Sequence, residues 1–254
     1  MMKKRTRRLY IVDYLITPDR RIENGAVLCE DERILAVGGV SAFAQEPEVE
    51  VLRFDNAYMT PGFIDTHIHG AGGFDCSSVE ISPHPIEEMS RILAERGVTT
   101  FFPTVVASPH EEMLRNLELL ADRMNGSLPG AAASGINIEG PFINPFKRGA
   151  QQQESIVPID LGFAGELVAA GKGLVKVMTF APELDRSAEL VEFLVDHGVK
   201  PSMGHSVANE QQTLRAIDAG ACHCTHLFNG MPPLHQREMG LSSIALTDNR
   251  VTVE

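Results

Sequence analysis

The sequence predicts an α/β fold: an incomplete (β/α) barrel with a small β-rich lobe before it. Three observations predict this. After Pro61, short apolar runs alternate with stretches of helical period, the pattern of a parallel sheet covered by helices. Before Pro61, the runs are short, separated by turn residues, and show no helical period. Residues able to hold a metal ion recur at the carboxyl ends of the later runs, where (β/α) barrels assemble their active sites.

With 254 residues, 43% hydrophobic and 22% charged, the chain can bury one full-sized core plus a small lobe, and it is too apolar for disorder. Its 22 basic and 34 acidic residues give a net charge of −12, which argues against general affinity for nucleic acid or an anionic membrane. An anionic small molecule must then be met by local positive charge. The cysteines, Cys29, Cys76, Cys222 and Cys224, are too few and too irregular for a disulfide framework, so a reducing cytoplasm is the expected location. No run is long enough to span a bilayer. The basic start, Lys3, Lys4, Arg5, Arg7 and Arg8, reads as a tail leading into a strand, because Asp13 interrupts the next apolar run.

Residues 1–60 form the predicted lobe, with strands at Leu9–Ile16, Ala26–Cys29, Ile34–Val37 and Val49–Phe54. Thr17-Pro18-Asp19, Glu23-Asn24-Gly25 and Gly38-Gly39 are read as the turns between them. Residues 61–254 form the predicted barrel. Its strands are expected at 62–68, 99–105, 135–139, 174–180, 199–204 and 222–227, and its helices at about 86–96, 108–124, 160–171, 187–197 and 208–219. The clearest helix starts with Ser108 as N-cap, Pro109 at N1 and Glu111 completing a capping box; Leu114, Leu117, Ala121 and Met124 then share a face. An eight-stranded barrel takes about 250 residues, whereas fewer than about 200 follow Pro61. The barrel reading therefore expects about six βα units, ending two short; a smaller open α/β sheet is the alternative.

The candidate site begins at Pro61-Gly62-Phe63-Ile64-Asp65-Thr66-His67-Ile68-His69-Gly70. Side chains alternate along a strand, so His67 and His69 face the same way and can grip one ion. Glu139 ends the run from Ser134, His205 the run from Val199, and His226 the run from Ala221. One carboxylate and four imidazoles suit zinc or ferrous iron better than magnesium or calcium. Cys222-His223-Cys224 looks like a metal knuckle, but alternation places both cysteines on the face of His226 and His223 on the other, and the cysteines are read as core. His84, His110 and His197 fall at predicted helix ends and are read as surface residues. Gly70-Ala71-Gly72-Gly73 lacks the Gly-Lys-Ser/Thr of a phosphate loop and is read as a flexible loop near the metal. In the loop after His226, Asn229-Gly230 exposes backbone amides and Arg237 offers a planar fork. The loop either holds a phosphate or is an ordinary loop with Arg237 paired to Glu238 or another acid.

Taken together, the Pro61-to-Gly70 motif, Ile-Glu-Gly-Pro-Phe-Ile at 138–143, Gly-His-Ser at 204–206 and Thr-His-Leu-Phe-Asn-Gly-Met-Pro-Pro at 225–233 resemble the N-acetylglucosamine-6-phosphate deacetylases of the amidohydrolase superfamily. The resemblance covers the chain but only about the first two thirds of a family member. It implies an amidohydrolase-type barrel in which Glu139, His205 and His226 hold the main zinc or iron ion and His67 and His69 a second one. It also implies Ala150, Asn229, Gly230 and Arg237 as substrate contacts, with Arg237 on the phosphate of an amino-sugar phosphate, and a homodimer. Where some relatives carry a histidine that polarises the acetamide carbonyl, this chain has Gln151. The implied chemistry is metal-assisted amide hydrolysis: water activated at neutral pH attacks the acetyl carbonyl, and an acid protonates the departing amine. In the family that acid is an aspartate of the last barrel strand, expected beyond Glu254, so none of the residues present is assigned as the catalytic acid. Asp248, in a polar turn, is no substitute.

Two rivals remain at this level. One is another amidohydrolase, a cyclic amidase or a nucleobase deaminase sharing the His-x-His start, although bridged two-metal members of that kind use a carboxylated lysine where Glu139 stands. The other is a truncated fragment that binds metal or sugar phosphate without turning it over.

Overall fold

A computed structural model of the protein describes residues 5–44, 46, 49–78 and 85–254. Its chain divides into two compact units, Met1–Gly62 and Phe63–Glu254.

The first unit is a four-stranded sheet of β1 (Arg7–Ile16), β2 (Arg21–Glu30), β3 (Arg33–Gly39) and β4 (Glu50–Met59), in the order β3-β2-β1-β4. β1, β2 and β3 are antiparallel neighbours, and β4 lies parallel to β1. Leu9, Ile11, Ala26, Leu28 and Phe43 form one buried cluster, and Val12, Leu15 and Val27 form another. The turn at Thr17-Pro18-Asp19 closes with a Thr17 N–H to Arg20 carbonyl bond of 2.9 Å. Glu23-Asn24-Gly25 is not a turn but the middle of β2. Gly25 pairs with Val12, and a Cβ there would collide with that of Leu15, so the glycine serves close strand approach rather than reversal. Arg5, Arg7 and Arg8 pair with Glu30, Glu46 and Glu50. Such exposed pairs contribute about 0–1 kcal/mol each.

The second unit is built on a parallel sheet. Its strands are β5 (Phe63–Ile68), β8 (Val98–Val106), β10 (Ile136–Glu139), β11 (Val175–Phe180), β12 (Lys200–Met203), β13 (His223–Cys224) and β14 (Thr252–Val253), running in the order β14-β13-β12-β11-β10-β8-β5. β9 (Ala132–Ala133) adds to β8. The short β6 (Gly70–Ala71) and β7 (Phe74–Asp75) form a hairpin of their own. Helices α1 (Pro85–Ala94), α2 (His110–Met124), α3 (Leu161–Ala170), α4 (Ser187–Asp196), α5 (Glu210–Ala219) and α6 (Leu241–Thr247) lie between the strands in sequence. The two edge strands of the sheet meet: the Glu254 side chain, just past β14, hydrogen-bonds His67 at 2.7 Å and Thr66 at 3.1 Å in β5. This curl is that of a barrel wall, not of a flat open sheet.

Alternation along the strands sorts the side chains. Ile136, Ile138, Met178, Phe180, Met203 and Cys224 join the large apolar cluster with residues of the helices, among them Leu117, Leu167, Leu190 and Ile217. Most of the intervening residues are polar, and several bond to one another. Thr179 Oγ1 lies 2.9 Å and Ser202 Oγ 2.5 Å from Thr225 Oγ1, and Asn137 donates to the Thr66 carbonyl at 3.1 Å. The sheet therefore has an apolar face under the helices and a hydrogen-bonded polar face that carries Glu139.

Several local expectations are corrected. Ser108 does not cap α2: the N-cap is Pro109, and Ser108 Oγ is buried without a partner among the described residues. Gly72 and Gly73, at φ +63° and +89°, make a tight two-residue reversal between β6 and β7, not a flexible loop. Strands β14 and helix α6 go beyond the expected elements. β13 is only two residues long, so alternation does not carry from Cys224 to His226. His223, not a cysteine, turns to the polar face, where its Nε2 is 3.6 Å from Glu254. Cys224 and Cys76 are core residues whose thiols burial pushes up to about 12, which leaves them protonated and poor ligands. His84 lies outside the described residues. His110 and His197 are exposed, bonded to Glu166 at 2.6 Å and to the Phe193 carbonyl at 2.7 Å.

Candidate metal centre

Four imidazoles from three strand ends meet on Glu139, at a fourth. His205 Nε2 is 2.8 Å and His226 Nε2 3.0 Å from Glu139 Oε1, and the two nitrogens are 3.1 Å apart. On the other carboxylate oxygen, His69 Nε2 lies 3.3 Å from Oε2 and 3.2 Å from His67 Nε2. His67 Nε2 is 3.6 Å from Oε1. The ligand atoms thus form two sets sharing one carboxylate: His67, His69 and Glu139, and Glu139, His205 and His226. Glu139 and His205 are 4% and 6% exposed, whereas the His69 side chain is 48% exposed.

The donor set fits metal ions of the zinc or iron type. A tetrahedral ion with ligands at about 2.0–2.1 Å sets neighbouring ligand atoms about 3.3 Å apart. The separations of 2.8–3.6 Å within the two sets bracket that value. The far ring nitrogens point the same way. His205 Nδ1 donates to the Lys147 carbonyl at 2.6 Å, and His226 Nδ1 to the Asn229 carbonyl at 3.1 Å. His67 Nδ1 donates to Glu254 Oε1 at 2.7 Å. These bonds fix the tautomer with the Nε2 lone pair facing the cluster. Lone pairs on neighbouring atoms converge only around a cation, which is either protons or metal.

In the absence of metal, protons fill that role. Burial opposes charge on His67, but hydrogen bonds and charge from Glu139 and Glu254 outweigh it and hold its pKa at about 9. For His205, too, burial is outweighed by Glu139 and the Lys147 carbonyl, and its pKa rises. His69 goes the other way, lowered by burial and by the neighbouring His67 charge against the pull of Glu139. Burial raises the Glu139 carboxyl, but bonds from His205, His226 and His67 hold it far below the usual carboxylate range.

The backbone is bent to place these groups. His205 and His226 have φ of +46° and +31°, and Phe228 has +76°. Such values cost about 1–3 kcal/mol each for residues other than glycine and are kept where surrounding bonds enforce them. Here the His205 carbonyl accepts from Asn144 N–H and the Gly230 carbonyl from Ser206 N–H, each at 2.9 Å. Gly230, at φ +63°, leaves room for this arrangement. A Cβ there would sit 3.1 Å from His205 Nδ1 and 3.3 Å from the Lys147 carbonyl, inside the bond between them. Gly230→Ala is therefore expected to cost about 1–2 kcal/mol and to reduce metal content; unchanged melting and metal content would show that the loop absorbs the methyl group.

The other sequence-derived candidates fall around this cluster unevenly. Ala150 is exposed and follows Gly149, whose Cβ position is 3.5 Å from His205 Cε1. Asn229 is exposed, but its backbone N–H is engaged with the His226 carbonyl at 2.9 Å, so only its side chain is free to reach a ligand. Arg237 pairs with neither Glu238 nor any other acid among the described residues. It lines a cavity of about 490 Å³ with Val207, Ala208, Asn209 and His235, separate from the cavity of about 600 Å³ lined by His67, His69, His226 and Glu254. Gln151 is buried; its Oε1 accepts from Ala107 N–H at 3.2 Å while its Nε2 has no partner among the described residues. Asp248 faces Arg250, which holds its carboxyl down at about 2, and it takes no part in the cluster. Sequence reasoning missed Glu254, the partner of His67, and Lys147, whose carbonyl orients His205. Glu254 follows a short Val-Thr-Val run, the same sign that marked Glu139.

The amidohydrolase family profile matches residues 58–251, three quarters of the chain and all of the strands that carry the cluster. The chain belongs to the amidohydrolase family. Among its relatives, the N-acetylglucosamine-6-phosphate deacetylase of Bacillus subtilis is 35% identical over 244 residues, covering 94% of this chain and 61% of that protein. The N-acetylgalactosamine-6-phosphate deacetylase of Escherichia coli O157:H7 is 32% identical over 225 residues, 89% of this chain and 59% of the other. Among solved structures, the D267A mutant of the Mycobacterium smegmatis N-acetyl-D-glucosamine-6-phosphate deacetylase, in complex with N-acetyl-D-glucosamine-6-phosphate, superposes with a TM-score of 0.89 at 32% identity. That superposition covers 98% of this amidohydrolase and 62% of the other chain. The chain thus spans about three fifths of the length of these relatives.

Proposed function

We propose that this amidohydrolase takes part in metal-dependent hydrolysis of the acetamide of N-acetyl-D-glucosamine 6-phosphate, giving glucosamine 6-phosphate and acetate. The observation that carries the reading is the meeting of four imidazoles on the buried Glu139 carboxylate, on a wall similar to that of deacetylases of this substrate. Two zinc or iron ions are the proposed occupants, one held by Glu139, His205 and His226 and one by His67, His69 and the second oxygen of Glu139. Bound there, such ions supply water activated near neutral pH and polarise a carbonyl.

The residues present have defined tasks in this reading. Glu139 balances the metal charge, and the Lys147 and Asn229 carbonyls and Glu254 hold the imidazoles in the ligating tautomer. Arg237, without an acidic partner among the described residues, offers its fork to the sugar phosphate, while Ala150, Asn229 and Gly230 line the approach to His205 and His226. The cluster residues have no proton to give once they hold metal, so the acid that protonates the leaving amine is none of them. Amino-sugar recycling in the cytoplasm by a homodimer is the proposed setting.

The test is binding before turnover. Zinc-loaded protein is expected to bind N-acetylglucosamine 6-phosphate at least tenfold more tightly than unphosphorylated N-acetylglucosamine, with Arg237→Ala removing most of that preference. Calorimetry reads both. Equal affinity for the two sugars with metal in place would overturn the substrate assignment. The E. coli relative supports one second reading, the 4-epimer N-acetylgalactosamine 6-phosphate; tighter binding and faster acetate release with that sugar would favour it.

A further inference from the structure

His205 is held in its strained backbone conformation by more than its own bonds, and one carboxylate outside the metal cluster gathers the supports. Glu183 lies in the loop after β11, between Pro182 and α4. Its Oε1 accepts from Asn144 Nδ2 at 2.9 Å and from Val207 N–H at 2.7 Å. Its Oε2 accepts from Ser206 Oγ at 2.6 Å. The three donors come from the loops that follow Glu139 and His205.

Two of those donors, Asn144 and Ser206, also bond to the backbone around the metal ligands. Asn144 N–H donates to the His205 carbonyl at 2.9 Å, and Ser206 N–H to the Gly230 carbonyl at 2.9 Å. Ser206 Oγ accepts in turn from Ala208 N–H at 2.9 Å. Asn144 and Ser206 are buried at 8% and 0% exposure. His205 sits between them, its carbonyl held by Asn144 N–H and the next two residues held by Glu183. The Glu183 loop is itself anchored: Ala181 N–H donates to the Phe142 carbonyl at 2.9 Å, and Ser187 Oγ to the Pro182 carbonyl at 2.9 Å. Groups that orient ligands through hydrogen bonds typically change metal affinity 10- to 100-fold when removed.

We propose that Glu183 is a positioning residue for the metal centre, clamping Asn144, Ser206 and Val207 so that His205 keeps the φ of +46° from which its Nε2 reaches Glu139. Glu183 touches neither Glu139 nor any of the four imidazoles; it acts through the backbone on either side of His205. The inference rests on the metal reading given above.

The measurement is zinc affinity of the full chain, by competition with a chromophoric chelator, with thermal melting followed in parallel. Glu183→Ala, which strands three donors, is expected to weaken zinc binding 10- to 100-fold. Glu183→Gln keeps an acceptor for Asn144 and Val207 and an amide within reach of Ser206 Oγ, and is expected to restore affinity to within about threefold of wild type. Ser206→Ala, which removes one of the three bonds to Glu183 together with the bond from Ala208 N–H, is expected to fall between the two and decides the matter if Glu183→Ala does not fold. Glu189→Ala, removing an exposed partner of Arg186 in the same region, is expected to leave affinity unchanged. Wild-type affinity in folded Glu183→Ala, or in Ser206→Ala, overturns the positioning role even if melting is lowered. Failure of the wild type to bind zinc would instead remove the metal reading, and this inference with it.

Discussion

Glu139→Ala is expected to empty both metal positions at once. The side chain is the single ligand common to the two sets, with Oε1 toward His205 and His226 and Oε2 toward His69. Structural zinc held by four ligands is worth about 10–16 kcal/mol, so each ligand accounts for about 2.5–4 kcal/mol, or roughly 10²–10³ in affinity. Losing a shared ligand applies that factor twice. The substitution also leaves four imidazoles facing one another with no anion between them, which raises the cost of bringing in a dication. Metal analysis after gel filtration should find near-zero content in Glu139→Ala and a strong reduction in Glu139→Gln, which keeps the shape but not the charge. Retention of one full equivalent by Glu139→Ala would show that the carboxylate is not a ligand to that ion.

How much of this was readable from the residues depends on the range over which each signal acts. The strand ends were legible because a short apolar run that stops at a metal-ligating residue is a local signal. It marks His67, His69, Glu139, His205 and His226 at four run ends, and their convergence follows from the parallel fold. Failures came where the decisive contact was distant or conformational. Gly25 looks like a turn residue but answers to Leu15, ten residues away across the sheet. Ser108 has the right type for a cap, yet the backbone enters α2 one residue later. The face of His223 was assigned by extending alternation past Cys224, where strand pairing stops and His226 takes φ of +31°. Glu254 and Glu183 matter through bonds to residues 187 and 23 positions away; the Val-Thr-Val run before Glu254 marks a strand end but not its partner, and nothing local marks Glu183.

The two arms of the cluster are expected to differ in how tightly they hold metal. His205 and His226 are oriented by backbone carbonyls, those of Lys147 and Asn229, and lie 2.8 Å and 3.0 Å from Glu139 Oε1. Backbone acceptors within a bonded loop lose little freedom on binding. His67 depends instead on a side-chain carboxylate, Glu254, and the side chain of its neighbour His69 is 48% exposed. Water and chelators therefore reach the His67–His69 position first. Titrating the two-zinc protein with a chelator should release metal in two steps. His69→Ala should abolish the first step, leaving one equivalent bound with near wild-type affinity, and His205→Ala should weaken the second by about 10²–10³-fold, following the same per-ligand estimate. A single-step release with equal losses in both variants would mean that the two ions bind as one unit, with neither arm independent of the other. Persistence of the weak step in His69→Ala would place the exposed ion elsewhere.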